Sequence, residues 1–578
     1  MTSLIKLSSV ATVLAASLFL GACDDTPKQK TPVRVDANAE LSAHSEEFRK
    51  EVIKVTDGIY VAVGFGLANS IMLEGDDGIV IVDTMESNAG ARAVKAEFEK
   101  ITDKPVKAIV FTHNHTDHIF GSGVFAEDDT PDVYAHETTN HYIDRVVNII
   151  QPAIYKRSMR QFGNHLPPGG VINDGIGPFL ANVVGEDALS LARPTITFDK
   201  VLKTEVAGIK MELYHAPGET ADQLFVWLPE KKVLLPGDNF YKAFPNLYAI
   251  RGTSYRDVLE WSKSLDMMRD MKPDFLVPSH SRPLSGAEKI DGILTDYRDA
   301  IQFIHDQTVR WINKDLGPDE IVERVKLPDH LANSPYLKEF YGMVDWSVRS
   351  VFTGYLGWFS GNATELHPLP KGERATRMAK LASSGTSLLD ATKQALGDKD
   401  YQWAAELSDN LILVSENKEE AKGLKAQALK ALAETQISAN GRNYYLTRSY
   451  ELDGTVSIPP IDPSKSPIKI LHSLPVGNMM RAMPVNLRAE DALDENVVVA
   501  FTFPDINENY TIHLRRGVAE VRETLMENAD ITVTVNSLIW KEILSKRRNP
   551  AVAYAGGDID VDGSLIDLVN FLKLFQPS

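Results

Sequence analysis

The sequence predicts a layered α/β body with a site at its strand ends, then an all-α segment, then a small α+β segment. Three observations lead there. Short β-branched runs separated by Gly and Asp turns fill residues 55–111 and return over 195–278, with a helical pattern set among the first of them. Ala- and Leu-rich amphipathic stretches take over from Gly372 to Thr435. Beyond the stiff boundary Ile458-Pro459-Pro460-Ile461-Asp462-Pro463, alternating strands return with apolar helices.

At 578 residues the chain is longer than one ordinary domain. Apolar residues make up 43% and charged residues 24%, the balance of a folded protein with a large core. The net charge of −18, from 61 basic and 79 acidic side chains, argues against nucleic acid as a partner. Phosphate binding needs a basic stripe, and none is present. A small anionic substrate stays compatible, because a few Arg residues and a metal reverse the field inside one pocket.

The only cysteine is Cys23. Met1–Lys6 is positively charged, Leu7–Leu20 is a short apolar run, and Leu20-Gly21-Ala22-Cys23 follows. That ending resembles a bacterial lipoprotein signal, in which the cysteine is lipidated and becomes the mature terminus; a plain secretory signal or anchor helix is the alternative. Residues 1–22 then read as the signal and 23–40 as a polar tether, with the fold beginning near Leu41. This implies a periplasmic, membrane-anchored chain needing no disulfides, with inner or outer membrane left open.

The first strand-like runs are Gly58–Gly64, Asn69–Glu74 and Gly78–Asp83. Ala89–Ile101 has helical spacing, with Ala93, Val94, Phe98 and Ile101 on one face. The strand Val106–Phe111 then delivers Thr112-His113-Asn114-His115-Thr116-Asp117-His118. Three imidazoles and a carboxylate at this spacing make a poor core and a good metal grip: neutral His nitrogen suits zinc, and the Asp oxygen suits a second ion close by. A solvated polar loop is the bland alternative.

Thr130–Pro194 is less regular and rich in Gly and Pro, as expected of an insertion forming a pocket wall. His136, His141 and His165 lie there at no ligand spacing and read as ordinary. A second strand series follows: Thr195–Val201, Ile209–Tyr214, Gln223–Leu228, Lys232–Pro236 and Phe275–Pro278. Pro217-Gly218-Glu219-Thr220, Gly237-Asp238 and Ser279-His280 each sit just past the carboxyl end of one of these strands, where α/β sheets place ligands.

Gly286–Lys314 reads as one long helix, Pro318–Val325 as a short one, and Tyr336–Ser360 as an aromatic-rich segment. The amphipathic helices are Glu373–Leu381, Leu388–Ala395, Tyr401–Ser415 and Lys418–Ala433. In the last part, Asn496–Phe503, Tyr510–Arg515 and Asp530–Val535 alternate as strands, while Ser537–Leu544 and Leu565–Leu574 are apolar helices.

Together THNHTDH, PGET, PGDN and PSH resemble the metallo-β-lactamase fold, an αββα sandwich. Asn246-Leu247-Tyr248-Ala249-Ile250-Arg251-Gly252, Ser279-His280-Ser281-Arg282-Pro283, His305-Asp306-Gln307-Thr308 and Tyr355-Leu356-Gly357-Trp358-Phe359 resemble, more narrowly, the bacterial alkyl sulfatases of the SDS-hydrolase type. The resemblance implies a catalytic domain over 41–330, a helical dimerisation-type domain over 331–455 that makes a homodimer, and a sterol-carrier-like domain over 456–578 with an apolar groove. For the last two, a helical spacer and a plain stabilising α+β domain are the alternatives.

It also implies two Zn2+ ions per chain. His113, His115 and Glu219 hold one, Asp117, His118 and His280 the other, and Asp238 bridges, so that Asp117 and Asp238 belong to the catalytic set. Asn246 and Arg251 match sulfate-binding positions, where an Arg fork meets two oxygens at once. Three positions are informative. Glu219 stands where the wider superfamily has His, as in the alkyl sulfatases; Asp238 stands where those sulfatases commonly have Glu; Arg282 replaces a common aromatic and reads as added positive charge at the rim.

Two zinc ions sharing a water bring its pKa towards neutrality and yield a hydroxide nucleophile. Thiol catalysis is excluded, because the sole cysteine lies in the leader. The sulfatase class that matures a Cys or Ser within C/S-x-P-x-R is disfavoured, since that motif is absent. The expected activity is hydrolysis of a small amphiphilic sulfate ester, such as dodecyl sulfate, to alcohol and inorganic sulfate. The alternatives are a hydrolase of the same fold acting on a lactone, β-lactam or phosphodiester, and a non-catalytic lipid- or detergent-binding lipoprotein. The bond broken and the acid that protonates the leaving alcohol stay open.

Overall fold

The computed structural model describes residues 36–575 apart from 128 and 182–184. The signal expected over 1–22, Cys23, and the tether as far as Val35 lie outside the described residues. The fold begins with the helix Ala39–His44, capped by the Asn38 side chain and seated by the buried Leu41.

Seven strands form the first sheet, in sequence order: β1 Glu51–Thr56, β2 Ile59–Val63, β3 Ser70–Glu74, β4 Ile79–Val82, β5 Val106–Val110, β6 Asp132–His136 and β7 Ile196–Phe198. β1 to β4 are antiparallel hairpin neighbours, whereas β4 to β7 run parallel. The second sheet contains β8 Val201–Val206, β9 Ile209–His215, β10 Leu224–Leu228, β11 Val233–Leu235, β12 Phe275–Leu276 and β13 Leu284–Ser285, in the order β13-β12-β11-β10-β9-β8.

Between the sheets, Val61, Val63, Ile71, Val80 and Val110 share one core with Leu213, Leu224, Val226 and Leu235. On the outer face of the first sheet, Ile81, Ile109 and Val133 pack with Ala91, Val94 and Phe98 of the helix Asn88–Phe98. Outside the second sheet, Phe225 and Leu234 pack with Trp261 and Leu265 of Val258–Asp270 and with Leu294, Ile301 and Ile304 of Ala287–Ile312. These layers are the expected αββα sandwich.

Several elements differ from the expectation. The helix Asn88–Phe98 buries Ala91 rather than Ala93 and stops before Ile101, which is exposed. The run Thr195–Val201 is cut at Asp199 and Lys200, so that β7 closes one sheet and β8 opens the other. The insertion contains β6 and two helices, Thr139–Asn148 and Gln151–Gln161, the second with Pro152 in its first turn, where a missing N–H costs nothing. The aromatic-rich segment folds into the helix Val344–Leu356.

The helices Lys371–Ala382, Leu388–Gly397, Tyr401–Val414 and Lys418–Thr435 share a small Leu and Ala core. A fifth, Ala439–Leu452, buries Arg442 and Asn443 on the side facing the insertion, where Asn443 Nδ2 donates to Asp174 Oδ1 at 3.0 Å. The last sheet holds β14 Asn496–Phe503, β15 Glu508–Arg515, β16 Val518–Arg522, β17 Ile531–Val535 and β18 Ile559–Asp562, in the order β16-β15-β14-β17-β18. Its core joins Phe501, Ile512 and Val533 to Trp540 of Ser537–Leu544 and Phe571 of Leu565–Lys573.

Candidate metal centre

All seven expected metal ligands meet at one edge of the sandwich, each delivered by a strand end. His113 and His115 follow β5, Asp117 and His118 sit in the short helix Thr116–Ile119, Glu219 lies between β9 and β10, Asp238 follows β11, and His280 follows β12. Two glycines permit this crowding. A Cβ on Gly237, whose φ is +58°, would stand 2.1 Å from Gln223 Nε2, and one on Gly218 would stand 1.9 Å from Asn239 Oδ1.

Asp238 occupies the middle. Its Oδ2 lies 3.2 Å from His280 Nε2 and 3.7 Å from His113 Nε2, and its Oδ1 lies 3.5 Å from His118 Nε2. Asp117 Oδ2 is 3.4 Å from His118 Nε2 and 3.5 Å from His280 Nε2. Donor atoms of Asp117, His118 and His280 lie within 4.8 Å of one another, as do those of His115, Glu219 and Asp238, and those of His113, His118 and Asp238. The first trio matches the expected second-ion set. Asp238 belongs to both remaining trios, one joining it to His113 and His118 and the other to His115 and Glu219, so that no single trio reproduces the expected first-ion set of His113, His115 and Glu219.

The residues fit cations. His113 Nε2, His118 Nε2 and Asp238 Oδ1 are buried without a protein hydrogen-bond partner, an arrangement that costs free energy unless a ligand meets them. Burial, joined by the neighbouring His118, holds His113 well below the usual imidazole pKa, and burial with His113 and Arg251 does the same to His115. Both are therefore neutral, with a lone pair to give. Burial works against ionising Asp117 and Asp238, but the histidines around them win: Asp117 is lowered to about 2, and Asp238 falls well below the usual range.

A carboxylate not foreseen from the sequence keys this half. Asp83, fully buried at the end of β4 with φ of 59°, accepts from Thr112 N and Oγ1 at 2.9 Å and from Ser279 Oγ at 2.7 Å. It also holds His118 Nδ1 at 2.7 Å, which turns Nε2 towards the centre. His280 is oriented in the same way, with Nδ1 2.8 Å from the Leu67 carbonyl. A polar residue closing a fully apolar buried strand was the available signal.

The expected sulfate-binding residues flank the opposite side, on the irregular stretch 240–257. Arg251 Nη2 lies 3.4 Å from His115 Nε2. Asn246 is fully buried, and neither its Oδ1 nor its Nδ2 has a protein partner; Arg251 Nη1 is buried and unpartnered as well. Sequence reasoning missed Arg256 here. Its Nη1 pairs with Glu219 Oε1 at 2.9 Å and donates to the Asn246 carbonyl, while Nε and Nη2 stay buried without partners. Tyr241 Oη donates to Glu219 Oε2 at 3.0 Å and accepts from Asn246 N at 2.8 Å. Tyr341, also unforeseen, lies buried in the field of Arg251, Glu219, Asp117 and Arg256, and burial pushes its phenol well above the usual range.

Arg282 does not add free charge at the rim. It pairs with Glu51 at the start of β1, which offsets its charge locally. His136 stacks on His215 at 3.8 Å and bonds Thr138 and Asp199, the ordinary role expected of it.

Residues 63–280 match the metallo-beta-lactamase superfamily, 317–455 the alkyl sulfatase dimerisation domain, and 464–578 the alkyl sulfatase C-terminal domain. A linear primary-alkylsulfatase of Pseudomonas sp. is 37% identical over 524 residues, which cover 87% of this chain and 98% of that protein. An (R)-specific secondary-alkylsulfatase of Pseudomonas sp. is 28% identical over 541 residues, covering 91% and 80%. Among solved structures, the stereoselective inverting sec-alkylsulfatase Pisa1 from Pseudomonas sp. superposes with a TM-score of 0.85 at 25% identity, over 94% of this chain and 91% of that one.

Proposed function

From its place among the alkyl sulfatases of the metallo-beta-lactamase superfamily, to which this chain belongs, we propose that it hydrolyses alkyl sulfate esters such as dodecyl sulfate to an alcohol and inorganic sulfate at a two-zinc centre. One observation carries the reading. A set of buried metal donors adjoins a set of buried, unpartnered hydrogen-bonding atoms on Asn246, Arg251 and Arg256. A sulfate ester answers both, because its compact anionic head offers several oxygens to guanidinium and amide N–H groups.

His113, His115 and Glu219 would hold one ion, Asp117, His118 and His280 the other, with Asp238 between them. Two zinc ions bound there supply Lewis acidity and a hydroxide nucleophile near neutral pH. Arg251, Arg256 and Asn246 bind and orient the sulfate head. Arg256 also offsets the charge of Glu219. Tyr341 keeps its proton at neutral pH and supplies a neutral O–H donor in the same space.

The reading extends to the rest of the chain. A homodimer forms through residues 317–455, where Tyr355, Leu356, Leu366 and Trp358, the last 73% exposed, leave apolar surface uncovered. The C-terminal sheet and its helices act as a sterol-carrier-like domain towards the alkyl chain. Lipidation at Cys23 holds the enzyme at a membrane facing the periplasm.

Replacing His113 or Asp117 by Ala is expected to abolish sulfate release from dodecyl sulfate while the circular dichroism spectrum and melting profile stay those of a folded chain. Full activity in either variant would overturn the centre.

A further inference from the structure

We infer that the helix Gln151–Gln161 is a positioning clamp for the sulfate-binding Arg251, acting through Arg157 and Gln161. The inference rests on the proposed role of Arg251 and adds what holds that residue in place.

Arg251 lies in a stretch with no regular secondary structure of its own, so neither helix nor strand fixes its backbone. The clamp does so from both sides. Arg157 Nε donates to the Arg251 carbonyl and Arg157 Nη2 to the Ile250 carbonyl, each at 2.6 Å. The fully buried Gln161 accepts the Arg251 N–H through Oε1 at 3.0 Å. Both backbone polar groups of Arg251, and the carbonyl before it, are thus bound by one rigid element. Gly252 has φ of +110°, and the helix comes close enough that Ile154 Cδ1 stands 3.3 Å from where its Cβ would be. Phe162, at the end of the helix, places its ring 5.9 Å from the Arg251 guanidinium.

The clamp is itself anchored. Arg160 makes two hydrogen bonds, at 2.9 and 3.0 Å, to the carboxylate of Glu451 on the helix Ala439–Leu452. A long Arg side chain on an irregular loop would otherwise spread its charge over many rotamers, and an ångström of misplacement is costly in an anion-binding site. Arg157 acts by geometry, because the guanidinium N–H groups aimed at the loop are engaged with carbonyls. It is a positioning residue.

The test compares Arg157→Met, Arg157→Lys and Gln161→Met with the zinc-loaded parent in dodecyl sulfate hydrolysis. KM for dodecyl sulfate and the inhibition constant of inorganic sulfate are expected to rise together by about 10- to 100-fold in Arg157→Met, with kcat changed far less and bound zinc unchanged. Arg157→Lys recovers part of the loss. In an Arg251→Ala background, Arg157→Met adds nothing further. The clamp is overturned if the two substitutions multiply, or if Arg157→Met and Gln161→Met lower the melting temperature without moving KM or the sulfate constant. Should Arg157→Met not fold, Gln161→Met carries the same comparison. If Arg251→Ala alone leaves both constants at parental values, it is the sulfate-binding reading that fails.

Discussion

The two halves of the site are built in different ways. The metal half stands on the sandwich: short loops at four strand ends, most of its donors buried, with Asp83 beneath them tying Thr112, His118 and Ser279 together. The anion half stands on additions to the sandwich, an irregular loop braced by a helix of the insertion that is pinned in turn to the helical region. The candidate metal donors therefore sit on the strand ends of the sandwich itself. The proposed sulfate-binding residues sit on a loop that also reaches the metal half, through the Arg256–Glu219 pair and the approach of Arg251 to His115.

The metal half breaks most directly at Asp83. Asp83→Asn keeps the shape but trades an acceptor oxygen for a donor facing the Thr112 and Ser279 hydroxyls and His118 Nδ1. Zinc affinity is expected to fall about 10- to 100-fold in a chelator competition, with the sulfate inhibition constant of the zinc-saturated enzyme unmoved. An unchanged zinc affinity would remove Asp83 from its keying role. The Arg157 and Gln161 variants make the opposite cut, moving substrate and sulfate binding while zinc stays in place.

A smaller effect lies outside both halves, in the pH dependence of stability. His44 is buried in the N-terminal helix, stacked on Phe340 at 4.0 Å, and its Nε2 lies 2.9 Å from the carbonyl of Gly175 in the insertion. Burial lowers its pKa from the usual 6.5 to about 4. The unfolded chain therefore takes up a proton first as pH falls below about 6.5, and the folded chain only near 4. Its contribution to stability is fully present above that upper value and shrinks by about 3 kcal/mol across the window. Urea unfolding at pH 7 and pH 5 checks this: His44→Phe should flatten the loss seen in the parent, and an identical loss in both proteins would discount His44.

Much of the metal half was legible in the sequence, because its ligands fall in short local motifs after apolar strands and each motif announces its own chemistry. The seven candidate donors were read for that reason, and the structure brings them together. Arg256 and Tyr241 were missed. Both act by reaching Glu219 across a loop, and nothing local distinguishes them from a surface Arg and a core Tyr. The helix Gln151–Gln161 was hidden because Pro152 and the Gly-rich flanks read as loop, although a proline in the first turn is compatible with a helix. Arg282 shows the converse error: a charge assigned to the rim by its neighbours in sequence is paired with Glu51, more than two hundred positions away. Ile101 failed for a local reason, since the apolar face was followed one turn past the helix end at Phe98.

On the proposed reading, these strand-end donors hold two zinc ions that hydrolyse an alkyl sulfate. Titrating the metal-free full-length protein with zinc, while measuring bound zinc and sulfate release from dodecyl sulfate, tests it directly. Turnover is expected to appear with zinc and to saturate at about two equivalents per chain, with sulfate and dodecanol formed in equal amounts. Saturation with zinc but no sulfate release, or undiminished release in the presence of a strong chelator, would contradict it.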